Sequence, residues 1–214
     1  MKVTRLGHAA LQIDTDDARL VIDPGVYSDA WREVADIDAV LVTHEHHDHI
    51  DVPNLPQLLA DNPGARLYAP APVGALLDGV EVQTVESGAT LEFGGTRVEV
   101  VGAEHAVVHP RIPRVPNHGF VVRVDEGPSL FHPGDAYDCF PADVDVLALP
   151  VHAPWASVAM SFDFFAASTS PLAFPIHDSG LSTTGRATTM RILGGLIPED
   201  RELRDVEALG TLDL

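Results

Sequence analysis

Residues 43–49 read THEHHDH and follow directly on the apolar run AVLV. Within this segment His44, His46 and Asp48 alternate, and His49 follows at once. Neutral imidazoles combined with a carboxylate suit Zn, Mn or Fe, whereas buried histidines without a ligand would be costly to desolvate. An exposed histidine-rich loop is the alternative interpretation. Because the preceding run is typical of a buried strand, the sequence favours a metal site at the end of that strand.

The elements around this motif are predicted to be short strands in groups that are separated by helices. The third strand, 37–44, is nearly continuous in Ala, Val and Leu, which is typical of a strand covered on both faces. Such grouping predicts two sheets with helices on their outer faces. Without a linker or a repeat, one domain over residues 1–214 is expected. The predicted strands are 3–13, 18–25, 37–44, 65–70, a meander over 80–105, further strands within 118–151, and 171–177; the predicted helices are 53–61, 73–78, 160–168 and 183–195.

Composition limits the classes of partner. The 214 residues include 32 acidic and 13 basic side chains, for a net charge of −19. Nucleic-acid binding uses clustered Lys and Arg, so no nucleic-acid partner is expected. A single cysteine excludes an internal disulfide. No apolar stretch reaches the roughly 18 residues of a membrane span, and the first twenty residues lack the apolar core of a signal peptide, so a soluble, cytoplasmic protein is expected.

Five motifs occur in an order that resembles the metallo-β-lactamase superfamily, and the resemblance extends over nearly the whole chain. The opening Gly7-His8-Ala9 and the late PIH are most similar to the branch that contains L-ascorbate-6-phosphate lactonase and the N-acylphosphatidylethanolamine phospholipase D type. Ala136, where that branch often has Thr, and the segment 178–180 depart from its pattern. The five motifs are VIDPG, THEHHDH, AEH, HPGD and PIH.

The resemblance implies an α/β fold, a four-layer αββα sandwich, with two divalent metal ions at one edge between the sheets. The ions would be Zn²⁺, with Mn²⁺ or Fe²⁺ as alternatives, and they would share a hydroxide. Asp48 would also handle the proton of the nucleophile. His109 is the alternative to His105. The implied ligands are His44, His46 and His105 for the first ion, Asp48, His49 and His177 for the second, and Asp135 as a bridge between them.

Other residues are assigned to the surroundings of the centre. Asp23 is expected to orient a ligand through hydrogen bonds. His8 and His152 are candidates for the wall of the substrate pocket. Arg111 and Arg114 lie in the acid-free segment 105–118, and they would hold a carboxylate or phosphate of the substrate. The alternative is that these arginines pair with nearby carboxylates.

The sequence therefore predicts a metal-dependent hydrolase of a small, anionic ester, lactone or phosphodiester. A small molecule is the expected partner, and a homo-oligomer is left open. One alternative is an RNA- or DNA-processing phosphodiesterase of the same fold, which the lack of a basic surface disfavours. Others are a di-iron redox protein and a non-catalytic binding protein.

Overall fold

The first sheet is built from the N-terminal half of the chain and from its last residues. The computed structural model describes residues 1–214. The strands of this sheet are β1 (Lys2–Gly7), β2 (Ala10–Asp14), β3 (Arg19–Ile22), β4 (Ala39–Leu41), β5 (Arg66–Ala69), β6 (Val82–Thr84) and β14 (Thr211–Asp213). Their order is β14-β1-β2-β3-β4-β5-β6. Pairing is antiparallel from β14 to β3 and parallel from β3 to β6.

The second sheet repeats this plan with the later part of the chain. Its strands are β7 (Thr90–Phe93), β8 (Thr96–Val101), β9 (Gly119–Val124), β10 (Ser129–His132), β11 (Val146–Pro150), β12 (Leu172–Ile176) and β13 (Glu202–Leu203). The order is β13-β12-β11-β10-β9-β8-β7. Pairing is parallel from β13 to β10 and antiparallel from β10 to β7. Each sheet is therefore mixed, with a parallel half and an antiparallel half.

Helices cover the outer face of each sheet. Ser157 and Ser182 begin α3 and α4 by accepting hydrogen bonds from the backbone amides of Met160 and Gly185, as good N-cap residues do. No helix is both long enough and apolar enough to span a bilayer. The helices are α1 (Leu55–Asp61), α2 (Ala71–Gly74), α3 (Val158–Ala167) and α4 (Thr183–Leu196), and a 3₁₀ turn occupies Ala30–Glu33.

The apolar residues of the central strands point alternately to two different cores. Leu20 and Ile22 of β3 join a cluster of 21 buried residues that also contains Phe120 from the second sheet. Val21, between them, packs instead in a cluster with Leu55 of α1. A third cluster joins the outer face of the second sheet to α3 and α4. This alternation, which follows from the period of two along a strand, confirms the predicted four-layer αββα sandwich.

Several predicted elements differ from the structure. The run 3–13 is two strands, because residues 8–9 form a turn and β1 and β2 pair as a hairpin. The first strand of the predicted meander, β6, pairs in parallel with β5 at the edge of the first sheet, so the chain changes sheets before β7. The helix predicted at 73–78 ends earlier, as α2. The short edge strands β13 and β14 were not predicted, since two or three residues carry no periodic signal.

Backbone hydrogen bonds join the two sheets at one edge of the sandwich. The amide of His177 donates to the carbonyl of His8 at 3.0 Å, and that of His118 donates to the carbonyl of Thr43 at 2.9 Å. Each bond connects the end of a strand or a loop in one sheet to a loop of the other. These contacts fix the relative position of the segments that carry the histidine motif and the later histidines.

Candidate metal centre

The predicted ligands come together at this edge in two groups of four side chains. Within each group, one potential ligand atom from every side chain lies within 4.8 Å of all the others. Every predicted metal ligand is included, and His8 is added to the second group. The first group is His44, His46, His105 and Asp135; the second is His8, Asp48, His49 and His177.

Asp135 contacts side chains of both groups. Its Oδ2 lies 3.3 Å from His105 Nε2 and 3.2 Å from His177 Nε2. Its Oδ1 lies 3.0 Å from His49 Nε2. A carboxylate that contacts both groups would be able to serve an ion held by either of them. His109, the alternative to His105, is exposed and belongs to neither group.

Four of the histidines have their Nδ1 atoms occupied by oxygen acceptors outside the centre. The Nδ1 of His49 pairs with Asp23 Oδ2 at 2.7 Å, and that of His44 pairs with Thr43 Oγ1 at 2.9 Å. The Nδ1 atoms of His105 and His177 each lie 2.6 Å from a backbone carbonyl. An Nδ1–H that donates outward leaves the Nε2 lone pair free to bind a metal ion.

His46 presents the other ring nitrogen. Its Nδ1 lies 3.0 Å from His44 Nε2, so the two nitrogens point at the same space.

Several buried polar atoms at the centre have no hydrogen-bond partner. They include His49 Nε2, His177 Nε2, His8 Nδ1 and Asp135 Oδ1. The 3.0 Å contact between His49 and Asp135 lacks the angle of a hydrogen bond. Unpartnered buried polar groups are rare and call for an explanation such as a bound ion. The donor set of imidazoles and carboxylates fits Zn²⁺, Mn²⁺ or Fe²⁺.

The carboxylates of the centre are strongly stabilised in their ionised form. Burial would raise the pKa of Asp135, but His49 and His177 outweigh that effect and hold the pKa well below its usual value. Burial alone would lower the pKa of His177, yet Asp135 and Asp48 raise it to about 9. The pKa of His49 is likewise raised, because Asp135 and Asp23 outweigh burial. A divalent ion that binds these imidazoles must therefore displace protons.

The loops of the centre depend on close approach and on unusual backbone angles. A Cβ at Gly25 would overlap the backbone carbonyl of Asp48, so only glycine lets the VIDPG loop pack against the histidine motif. His8, Asp23 and His177 all have positive φ, at 50°, 50° and 60°. Non-glycine residues adopt this conformation seldom, and such outliers cluster at functional sites.

A cavity of about 370 Å³ opens over the two groups. His8 and His152, which were both predicted to line the pocket, are among its lining residues. The remaining wall is largely apolar or aromatic, from Tyr27, Val108 and Trp155. The residues that line the cavity are His8, Tyr27, His46, His47, Asp48, His105, Val108, Asp135, His152, Ala153, Pro154, Trp155, His177 and Gly180.

The two arginines of the segment 105–118 are not brought to the cavity. Arg111 is exposed to solvent. Arg114 donates from Nε to the carbonyl of His105 at 2.5 Å and contacts Glu104 Oε2 at 2.8 Å. Arg114 therefore holds the loop that carries His105, and its ion pair with Glu104 matches the alternative in which the arginines pair with nearby carboxylates, whereas Arg111 forms no such pair.

Three positioning residues were missed by the sequence reasoning. Thr43 donates to Asp23 Oδ2 and contacts His44 Nδ1. Asn117 Oδ1 accepts from the Asp135 amide at 2.9 Å, and the Trp155 indole donates to Asp135 Oδ2 at 3.2 Å. Thr43 stands beside the motif and could have been suspected. Asn117 and Trp155 are 18 and 20 residues from Asp135, and no sequence signal connects them.

An αββα sandwich with two His/Asp groups that could bind metal at one edge is the architecture of a class of metal-dependent hydrolases. The family description "Beta-lactamase superfamily domain" matches residues 2–177, a range that ends on the last predicted ligand. The chain belongs to the metallo-β-lactamase superfamily, which confirms that resemblance.

Two relatives show how far the similarity in sequence extends along the chain. Protein Rv0786c of Mycobacterium tuberculosis is 38% identical over 187 residues, covering 87% of this chain and 88% of the relative. A UPF0173 metal-dependent hydrolase of Myxococcus xanthus is 31% identical over 147 residues, covering 63% of this chain and 52% of that protein. The chain thus matches about half the length of the second relative.

A solved structure shares the fold. It is that of a candidate metal-dependent hydrolase from Parabacteroides distasonis, with a TM-score of 0.77 and 20% identity, and the match covers 96% of this chain and 92% of that chain.

Proposed function

We propose that this protein is a metal-dependent hydrolase whose centre holds two divalent ions, Zn²⁺ in the first instance, and that residues 1–214 act as one domain. The proposal rests on one observation: two four-residue groups, drawn from both sheets, meet at Asp135 beneath a cavity. The relative from Myxococcus xanthus that is named a metal-dependent hydrolase supports the same class of activity.

The ligands of the proposed ions are the seven residues expected from the sequence. His44, His46 and His105 would hold one ion, Asp48, His49 and His177 the other, and Asp135 both. Two ions bound in this way supply a hydroxide nucleophile at neutral pH and polarise the oxygen of the scissile group.

Asp48 is proposed to handle the proton of the nucleophile by accepting its hydrogen bond. Its side chain is 16% exposed and faces the cavity, whereas the side chain of Asp135 is 3% exposed. Its Oδ2 lies 3.3 Å from His8 Nε2 and 3.4 Å from His177 Nε2. These imidazoles hold the pKa of Asp48 well below its usual value despite burial, so the carboxylate is ionised and able to accept a hydrogen bond.

The proposed substrate is a small ester, lactone or phosphodiester. A cavity of about 370 Å³ admits only a small molecule or one end of a larger one. The likeness of Gly7-His8-Ala9 and of the PIH ending to the lactonase and phospholipase D branch supports these bond types. The cavity wall contains no Lys or Arg, so the expected anionic substrate has no support from Arg111 or Arg114. We therefore propose that the part of the substrate outside the centre is neutral and apolar.

Elemental analysis of the purified protein, followed by an activity screen, tests this function. We expect two bound ions per chain and hydrolysis of at least one class among lactones, phosphodiesters and thioesters. A chelator should abolish the activity, and Zn²⁺ or Mn²⁺ should restore it. A protein that binds no divalent ion, or that hydrolyses its substrates equally well after complete metal removal, would contradict the proposal. Iron content together with oxygen consumption would instead favour the redox alternative.

A further inference from the structure

His8 occupies a position that the seven expected ligands do not explain. It lies in the two-residue turn between β1 and β2, is 3% exposed, and has a φ of 50°. Its ring nitrogen lies within 4.8 Å of ligand atoms from Asp48, His49 and His177. A residue that only lined the pocket would not need to place its ring nitrogen beside the ligand atoms of these three side chains.

The contacts of the His8 ring place it against the second group. Its Nε2 is 3.3 Å from Asp48 Oδ2, and its ring centroid is 4.0 Å from that of His177. Its Nδ1 is buried and has no hydrogen-bond partner. The Nε2 atoms of His49 and His177 are also buried without a hydrogen-bond partner. One proton shared between two of these side chains would therefore leave the other ring nitrogens without a partner.

The backbone of His8 is held rigidly. Its carbonyl accepts the amide of His177 at 3.0 Å and Arg5 Nη2 at 3.4 Å. Arg5 is itself 1% exposed and also binds Asp178 Oδ1 at 2.7 Å. His8 and His177, which come from different sheets, are therefore connected directly and through Arg5 and Asp178. Ligands held in this way keep their geometry when an ion binds.

We propose that His8 is an eighth protein ligand and that it makes the two metal subsites unequal. This inference rests on the proposed dinuclear function. The first subsite would offer three imidazoles and Asp135. The second would offer three imidazoles, Asp48 and Asp135. With the shared hydroxide the first ion would have five ligands and the second six, and six ligands favour an ion that accepts a larger coordination number than Zn²⁺, such as Mn²⁺ or Fe²⁺.

The test is a metal titration of the stripped protein with two variants of His8. His8→Asn removes the imidazole while keeping a residue that tolerates positive φ, so the turn should be preserved. His8→Gln keeps an amide that can donate to Asp48. The exposed His109→Ala is the matched control. Binding of Co²⁺ and Mn²⁺ would be followed by calorimetry, and the Co²⁺ visible spectrum would report coordination number.

The parent protein should bind two Co²⁺ ions, and the visible bands of the ion with fewer ligands should be more intense than those of the other. In both His8 variants the affinity for the second ion should fall by about 10–100-fold or more. A loss of 10–100-fold is typical when a residue that only orients a metal ligand is removed. The first ion and the His109→Ala control should be unchanged. Thermal melting of the metal-free proteins checks the fold.

The outcomes separate the two proposals. Parent protein that binds two ions, with His8→Asn binding both equally well, overturns the role of His8 alone. A second result would also overturn the proposed role of His8 as a ligand. If His8→Gln binds the second ion with normal affinity while His8→Asn does not, His8 only orients Asp48. Parent protein that binds fewer than two ions overturns both the dinuclear function and this inference.

Discussion

The two sheets contribute to the centre in different ways. The first sheet supplies a contiguous segment, 43–49. The buried carboxylate of Asp23 fixes this segment, because it accepts hydrogen bonds from Thr43 and pairs with His49 Nδ1. The second sheet supplies three isolated residues, His105, Asp135 and His177, which follow three different strands. Groups 18 to 25 positions away orient Asp135 and His177, whereas His105 Nδ1 pairs with the carbonyl of the next residue, Ala106. One half of the centre is therefore built locally, and the other half is assembled by the tertiary fold.

Substitutions in the two halves should therefore differ in the number of ligands that they disturb. A change in the support of the first half acts on several ligands, because Asp23 contacts both Thr43 and His49. A change in the support of the second half acts on one ligand at a time.

Replacing Asp135 should have the largest effect, because its carboxylate contacts side chains of both four-residue groups. Asp135→Asn keeps the size of the side chain but removes the charge that two ions would share. We expect the affinity for both ions to fall by more than about 100-fold, and hydrolysis to disappear. This loss exceeds the one that is typical when a residue that only hydrogen-bonds to a metal ligand is replaced. Metal content after dialysis measures the effect. Retention of both ions would mean that Asp135 is not a bridge.

Asp23→Asn tests the support of the first half. In either orientation the amide NH₂ would face a donor, His49 Nδ1 or the backbone amide of Thr43, so one of the two hydrogen bonds that hold the motif would be lost. Metal affinity should fall by about 10–100-fold. Calorimetric titration of the stripped protein measures it, with Asp16→Asn, a solvent-exposed change, as the control. Unchanged affinity would argue that the motif is held by its own backbone.

Trp155→Phe tests the support of the second half. The substitution keeps the aromatic packing beside His105 but removes the indole N–H that donates to Asp135 Oδ2. Asp135 also keeps its amide bond to Asn117, so we expect a loss of metal affinity of about 10-fold or less. A loss equal to that of Asp23→Asn would show that the two halves depend equally on single partners.

The smallest effect is expected from Arg111→Ala. Arg111 is exposed and does not line the cavity, so activity on a neutral substrate and on a matched anionic one should both stay within about twofold, as for surface changes generally. The ratio of kcat/KM for the two substrates is the measurement. A selective rise of KM for the anion would restore the role that the sequence suggested for this residue.

The sequence predicted the first half of the centre better than its surroundings. The alternation of His44, His46 and Asp48 after a buried strand is a local pattern. Such patterns can be recognised from the sequence alone. The β1–β2 hairpin was hidden because its turn, His8-Ala9, is short and interrupts no apolar alternation. The misplacement of β6 has a related cause, since pairing partners in a sheet are set by crossovers and not by neighbouring sequence.

By itself the sequence determined the kind of chemistry, because residue type, order and spacing after strands are properties of the chain. Only the tertiary structure decided which side chains share one space: it placed His8 beside Asp48 and His177, and it turned Arg114 towards the carbonyl of His105. The physical reason is that ligand geometry depends on backbone bonds and packing between two sheets. The contact between His8 and His177 joins residues more than a hundred positions apart, and no local pattern along the chain encodes it.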